Sequence, residues 1–427
     1  MLYSTDGDAE RLILIAVENE RLACNAEGCL DELALLAETS GAEVAGRLVQ
    51  RREAVHPGHY LGKGKIEELK ELAAGLNAGA VAADDELTAA QQRNIGKMLG
   101  LRVLDRTMLI LDIFAGRAVS SEGKAQVELA QLRYRLSHLT GLGAQLSRQA
   151  GGGGIKGGGI GTRGPGEKKL ETDRRHIRAR IDQLNAELKE VRENRKVLRA
   201  KRERGGVPVI ALVGYTNAGK SSLLNALTSA GVFVEDKLFA TLDTTTRRVG
   251  LDGSEALLTD TVGFINKLPH HLIQAFRATL EELEYADILL HVTDCSNPAH
   301  AEQMAVVYDT LKALNCADKP VITAFNKIDK SGRPDSYADA RALRVIPISA
   351  KTGENLPELL NIIQETIQSM RQRVNVLIPY QESRLVNLLH EKCEIITEEH
   401  REDGTYIEAY ADSETVGRVN KYKLLAK

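Results

Sequence analysis

The sequence predicts a multi-domain α/β protein: an N-terminal α/β unit with a long helical hairpin, a doubly wound P-loop domain, and a small α+β domain at the C-terminal end. Three observations predict it. Strand-like and helix-like runs alternate over residues 1–116 and again over 207–371, as in open parallel sheets. Between them, 117–206 is basic and helical in period, with a glycine tract at 149–166. Finally, G-x-x-x-x-G-K-S at Gly214–Ser221 sits between an apolar run and a helix-period run. With 427 residues the chain is too long for one ordinary domain.

In the N-terminal unit, Arg11–Val17 reads as a buried strand, Asp31–Glu38 as a helix and Glu43–Gln50 as a second strand. His56-Pro57-Gly58-His59-Tyr60-Leu61-Gly62-Lys63-Gly64-Lys65 is a loop, followed by an amphipathic helix from Ile66 to about Leu76. Ala80–Ala83 is a third strand, and Thr88-x-x-Gln91 is a capping-box start for a helix running to Leu99. Gly62-x-Gly64 reads as a turn, because nothing strand-like leads into it, and His56 and His59 read as structural, having no third metal ligand nearby.

In 117–206, Leu129, Leu132, Leu136 and Leu139 make one helical seam, and Leu170, Ile177, Ile181, Leu184, Leu188, Val191 and Leu198 make another. Two long helices in an antiparallel hairpin would bury these stripes against each other. Ten of the eighteen residues at 149–166 are glycine, so the tip cannot hold a core of its own. We read it as a probe that orders on a partner, the alternative being a passive linker.

From Val207 onward, strands are expected at Val209–Val213, Arg247–Leu251, Ala256–Asp260, Ile288–Asp294, Pro320–Phe325 and Val345–Ile348. Helices are expected at Leu268–Tyr285, Glu302–Leu314 and Leu356–Met370. The last segment, 372–427, carries a helix from about Ser383 to Lys392 and two strand-like runs, Glu394–Thr397 and Tyr406–Tyr410.

The candidate chemistry follows the strands. In Gly214-Tyr215-Thr216-Asn217-Ala218-Gly219-Lys220-Ser221 the glycines let consecutive N–H groups turn inward on an anion, and the next helix adds its positive end. Lys220 is placed to reach the β- and γ-phosphates of a nucleotide, and Ser221 to ligate Mg²⁺. Phe239-Ala240-Thr241-Leu242-Asp243 lies in a polar segment suited to a switch, where a threonine offers a hydroxyl to the metal; Thr244, Thr245 and Thr246 compete for that role. Asp260-Thr261-Val262-Gly263 ends an apolar strand, as a metal-shell carboxylate and a γ-phosphate-sensing glycine should. Asn326-Lys327-Ile328-Asp329 separates guanine from adenine, because a carboxylate can accept from both N1–H and the exocyclic amine of guanine and adenine has no such pair. The Lys327 stem is suited to cover the purine face. The Ala350 N–H of Ser349-Ala350-Lys351 is placed to donate to guanine O6. The expected ligands are therefore GTP/GDP and Mg²⁺.

Composition narrows the classes further. No run approaches the roughly 20 consecutive apolar residues that span a bilayer, and Met1–Glu10 has no signal-peptide pattern, so a cytoplasmic protein is expected. The five cysteines, Cys24, Cys29, Cys295, Cys316 and Cys393, have no C-x-x-C spacing and read as free thiols. The net charge of −3 conceals a segregation: 117–204 holds 21 Lys+Arg against 10 Asp+Glu, net +11, leaving −14 elsewhere. From charge alone, a basic stalk on an otherwise acidic chain fits nucleic-acid binding and a merely solvated helix about equally.

The five nucleotide stretches in this order match the translation-factor branch of P-loop GTPases. His56-Pro57-x-x-Tyr60-x-Gly62-x-Gly64-Lys65, Asp105-Arg106-Thr107, Leu111–Phe114, Val127–Leu132, Arg163–Glu167 and Leu170–Arg175 extend the resemblance over nearly the whole chain, which resembles the HflX family of ribosome-associated GTPases. The resemblance implies binding to the large (50S) ribosomal subunit, splitting or rescue of stalled ribosomes, and hydrolysis stimulated by that subunit. It implies Thr241 as the second Mg²⁺ ligand beside Ser221, and a hairpin tip that reaches toward the peptidyl-transferase region. The catalytic set expected is Lys220, Thr241 and Gly263, and a monomer is the default for a one-to-one ribosome ligand. The tip here is longer and richer in glycine than the family pattern.

Phe264 stands where Ras-like enzymes carry a water-orienting glutamine and can neither donate nor accept a hydrogen bond. Slow intrinsic hydrolysis is the consequence expected. Two other readings remain open from sequence: a ribosome-assembly checkpoint, and a nucleotide-gated RNA-binding or remodelling protein.

Overall fold

The computed structural model describes residues 9–18, 26–150, 165–204, 207–228, 238–239, 244–252, 254–267, 269, 272, 277–331, 337–411 and 413–424. The chain forms two compact units. The first comprises 1–191 with 235–243 and 262–280; the second comprises 192–234, 244–261 and 281–427.

In the first unit β1 (Arg11–Glu18), β2 (Glu43–Arg51), β3 (Ala80–Ala83) and β4 (Arg102–Asp105) form a wholly parallel sheet in the order β2-β1-β3-β4. The crossovers are α1 (Ala26–Thr39), α2 (Lys63–Gly75) and α3 (Ala89–Leu99), and α4 (Arg106–Arg117) follows β4. β1 and β3 are buried on both faces, which accounts for their unbroken apolar runs. The Thr88 capping box forms as the sequence predicts: Thr88 Oγ1 accepts from the Gln91 N–H and Gln91 Oε1 accepts from the Thr88 N–H.

β4 and α4 are not anticipated by periodicity. β4 is four residues long and starts two residues after the left-handed Gly100 that ends α3. The N-terminal signal of α4 is local: Asp105 caps the helix by accepting from the Met108 N–H at 2.9 Å. The predicted helices are also longer than their apolar stripes, since α1 starts at Ala26 and α2 at Lys63.

The helices α5 (Ser121–Ala150) and α6 (Pro165–Arg204) run antiparallel over the described part. Glu128 takes both arms of the Arg180 guanidinium at 2.7 and 2.8 Å, and further along α5 the Leu139 carbonyl accepts from Arg174 at 2.5 Å, earlier in α6. The seam is only partly a mutual one. Val127, Leu129, Ala130 and Tyr134 of α5 are buried and α5 packs on α3 and α4, whereas of the named α6 positions with described side chains only Leu184 is fully buried. Residues 151–164 of the expected tip lie outside the described residues.

The second unit holds β5 (Val209–Val213), α7 (Lys220–Thr228), β6 (Thr245–Leu251), β7 (Ser254–Asp260), β8 (Ile288–Asp294), α9 (His300–Ala313), β9 (Val321–Asn326), β10 (Arg344–Pro347) and α10 (Leu356–Met370). Its sheet has the order β10-β9-β8-β5-β7-β6, parallel throughout except for the antiparallel β6–β7 hairpin. Of the helix expected at 268–285, the described helical stretch is α8 (Arg277–Tyr285). The final segment adds β11 (Gln372–Ile378), α11 (Ser383–Lys392), β12 (Glu394–Arg401), β13 (Gly404–Ala411) and α12 (Ser413–Val419). The antiparallel order is β11-β13-β12, one strand more than expected, around Val374, Val376, Ile378, Leu389, Ile407 and Val419. Among the described residues no helix is long and apolar enough to cross a membrane.

Candidate nucleotide-binding site

Four parallel strands of the second unit deliver polar residues to the same end of the sheet. The glycine loop leaves β5, Asp260 ends β7, Asp294 ends β8 and Asn326 ends β9; Ser349 follows two residues after β10. The carboxyl edge of an open parallel sheet is where such folds bind ligands.

The loop is held by close backbone approaches that exclude a side chain at two points. A Cβ on Gly214 would lie 2.2 Å from the Val292 carbonyl oxygen, and one on Gly219, at φ +96°, would lie 2.3 Å from Asn326 Nδ2. Asn217 takes the left-handed turn between them, at φ 59°. The Leu223 N–H donates to the Gly219 carbonyl at 2.9 Å, so α7 begins directly out of the loop.

Lys220 is buried and folds back on the loop, donating to the carbonyls of Gly214 at 3.1 Å and Tyr215 at 2.8 Å. Burial lowers its ammonium from the ordinary lysine value to about 8, with the Asp260 carboxylate opposing the shift. The Ser221 hydroxyl donates to Asp260 Oδ2 at 2.7 Å, which sets two oxygen donors side by side. Hydroxyl and carboxylate oxygens are the donor types that a hard divalent cation takes, so the residues present fit Mg²⁺. Thr261 is buried and donates to the Leu212 carbonyl at 2.7 Å, tying β7 to β5 beside the loop.

The base-side residues are wired to the loop. Asn326 Nδ2 donates to the Ala218 carbonyl at 2.9 Å, and Asn326 Oδ1 accepts from the Ala350 N–H at 2.9 Å. In this structure the Ala350 hydrogen expected to meet guanine O6 is therefore taken by Asn326, whose carboxamide lies between the two loops. Lys327, at φ 68°, donates from Nζ to the Asn217 carbonyl at 2.8 Å and to Asp294 Oδ2 at 2.7 Å. Asp329 Oδ1 accepts from the Ser349 hydroxyl at 2.7 Å, while Ile328 is buried and Lys351 exposed. Asp294 is the residue that sequence reasoning missed; its signal is a carboxylate at the carboxyl end of an otherwise apolar strand.

Gly214 to Ser221, Asp260, Thr261, Asn326 to Asp329 and Ser349 to Lys351 thus belong to one unit, joined by the bonds just described. Phe239, Val262 and Gly263 belong to the first unit. There Phe239 is buried edge-on against Phe114 at 4.6 Å between ring centroids. Ala240, Thr241, Leu242 and Asp243 lie outside the described residues, and with them the second expected Mg²⁺ ligand. Phe264 is 2% exposed, a core residue of that unit.

Comparison with known proteins places these features in a family. Residues 27–115 match the "GTP-binding GTPase N-terminal" family model, 117–202 the "GTP-binding GTPase Middle Region" model, and 209–327 the "50S ribosome-binding GTPase" model. A GTPase HflX of Lacrimispora saccharolytica is 52% identical, over 95% of this chain and 94% of its own. One from Caldanaerobacter subterraneus is 48% identical, over 97% and 94% of the two chains, and the GTPase HflX of Escherichia coli K12 is 41% identical over 88% of each.

Proposed function

The chain belongs to the HflX family of GTPases, and from that premise we propose that it is a factor of the large ribosomal subunit whose GTP hydrolysis that subunit stimulates, acting in the splitting or rescue of stalled ribosomes. The family model matched at 209–327, described as a 50S ribosome-binding GTPase, supports the choice of partner. The basic α5–α6 hairpin is the part proposed to meet rRNA, with the tip between the helices as its probe. The domain division proposed is 1–116, 117–206, 207–371 and 372–427, in a cytoplasmic monomer.

The observation that carries the nucleotide reading is the circuit Ala218–Asn326–Ala350, closed by Lys327 on Asn217 and by Ser221 on Asp260. One side chain, Asn326, joins a phosphate loop to a base-reading loop, so the two ends of a nucleotide would be registered against a single strand end. In the proposed reaction Lys220 exchanges its bonds to the Gly214 and Tyr215 carbonyls for β- and γ-phosphate oxygens, which keep its ammonium charged. Ser221 and Thr241 would hold Mg²⁺, which when bound supplies charge neutralisation on the phosphates. Gly263 would report the γ-phosphate through its backbone, and Asp329, held by Ser349, would select guanine. With Phe264 buried, no side chain at that position orients the attacking water. Hydrolysis then waits for a partner, and a group supplied in trans is worth about 10³ to 10⁵ in rate in the known template.

Sedimentation of the purified chain with large ribosomal subunits tests the partner. Co-pelleting with a non-hydrolysable GTP analogue, loss with GDP, and a steep fall with added salt are expected, since each neutralised phosphate contributes about −0.7 to −0.9 to the log–log slope. Binding that ignores both nucleotide and salt would refute the proposal.

A further inference from the structure

Beside the carboxyl end of the N-terminal sheet, the first unit contains a buried ionic chain that none of the nucleotide motifs includes. Asp84, which directly follows β3, is 1% exposed. Its Oδ1 accepts from Arg106 at 2.6 Å and its Oδ2 from Lys267 Nζ at 2.5 Å. Lys267 also donates to Asp85 Oδ1 at 2.7 Å, and Asp85 Oδ2 accepts from the Tyr60 hydroxyl at 2.7 Å. At the far end Arg106, itself buried, pairs with Glu32. The carboxyl edge of an open α/β sheet is the usual place for a ligand. Here the cationic group beside β3 comes from the chain itself, four residues after Gly263.

Two further observations single out Lys267. Its backbone sits at φ 52°, a left-handed conformation that a long side chain rarely adopts and that persists only where the surroundings over-determine it. The neighbouring Asn266 supports that turn by accepting from the Lys267 N–H at 2.9 Å. Burial by itself would lower the Lys267 ammonium, but the carboxylates of Asp84 and Asp85 outweigh it and raise it, so the group stays charged and paired. Between Gly263 and this anchor, Phe264 and Ile265 are each 2% exposed, which pins the stretch at both ends of a short span.

We propose that Asp84 and Asp85 of the N-terminal sheet, acting through Lys267, are positioning residues for GTP hydrolysis, fixing the backbone of Gly263–Phe264. The inference rests on the GTPase reading above. With no side chain at 264 able to orient water, the placement of the Gly263–Phe264 backbone has to be set from elsewhere. An ammonium bonded to two carboxylates, one of them buried, is a strong charge-assisted anchor for it. Loosening such a segment by about an ångström costs on the order of 100-fold in rate. It leaves the contacts to GDP alone, since those come from the glycine loop and the Asn326 and Ser349 loops.

The test uses the full chain with saturating large ribosomal subunits, measuring kcat and KM for GTP together with GDP affinity. Lys267→Met is expected to lower kcat by about 10-fold to 100-fold with GDP affinity within about twofold of the parent. Lys267→Arg should restore most of the lost kcat. Asp85→Asn, at the more exposed carboxylate, should lower kcat in the same direction, and Lys267→Met/Asp85→Asn should be no slower than the worse single variant. If Lys267→Met fails to fold, Asp85→Asn alone carries the test. An unchanged kcat, strictly additive losses, or a GDP affinity that falls as far as kcat would each overturn the proposal. Wild-type protein with no GTP turnover in any condition would instead overturn the GTPase reading on which it rests.

Discussion

Raising the pH from 7 to 9 should weaken nucleotide binding through Lys220 alone. Burial holds this ammonium at about 8 in the free protein. Phosphate oxygens favour the charged form, so binding takes up a proton wherever the free lysine has lost it. The protonated fraction of a group titrating at about 8 is about 0.9 at pH 7 and about 0.1 at pH 9, so GDP affinity should fall about tenfold across that interval, or about 1.4 kcal/mol. The opposite sign holds for the free protein. The folded state binds fewer protons than the unfolded one between about 8 and the ordinary lysine value, so this residue's contribution to stability increases as pH rises through that window. Fluorescence titration with GDP, repeated with Lys220→Met, isolates the effect, because deprotonation of the base itself affects both proteins alike. Calorimetry at pH 8.5 in two buffers of different ionisation enthalpy should register more proton uptake by the wild type than by Lys220→Met. Identical pH dependences for the two proteins would refute the assignment of Lys220 to the phosphates.

Other substitutions probe the same circuit. Asn326→Ala removes the bonds to Ala218 and Ala350 and leaves both backbone groups to find other partners; a loss of about 1–3 kcal/mol per buried group is expected, read as weaker GDP binding and a lower Tm. Gly214→Ala places a methyl group 2.2 Å from the Val292 carbonyl and should abolish GDP binding, with β5 and β8 forced apart, as circular dichroism melting would register. Asp329→Asn removes the acceptor for guanine N1–H and the exocyclic amine while leaving a side chain that can still take the Ser349 hydroxyl, so preference for GTP over xanthosine triphosphate should narrow or invert in competition binding.

The parts of the fold legible from sequence were those with long or doubly buried periodicity. β1, β3, β5 and β8 read as unbroken apolar runs because parallel strands are covered on both faces, and the capping box at Thr88 was readable because it is local. β4 and β11 escape a reading by pattern because four residues carry too little of it, and because Gln372–Ile378 mixes polar and apolar outer positions with three buried ones. Within the candidate site, residue types and spacing are enough to propose Gly214 to Ser221, Asp260 and Asn326 to Asp329. Their wiring was not legible, since it depends on which strand ends adjoin. Only the sheet order sets Asp294 beside Lys327, and Asn326 between Ala218 and Ala350. The same holds for Lys267, whose partners Asp84 and Asp85 are more than 180 positions away in sequence.

GTP turnover by the purified chain, with and without large ribosomal subunits, separates a subunit-activated GTPase from a self-sufficient one. Slow intrinsic turnover is expected to rise by orders of magnitude with the subunits, and to rise less when 151–161 is deleted. Turnover as fast without the subunits as with them would contradict it, since the buried Phe264 would then have had no need of a partner.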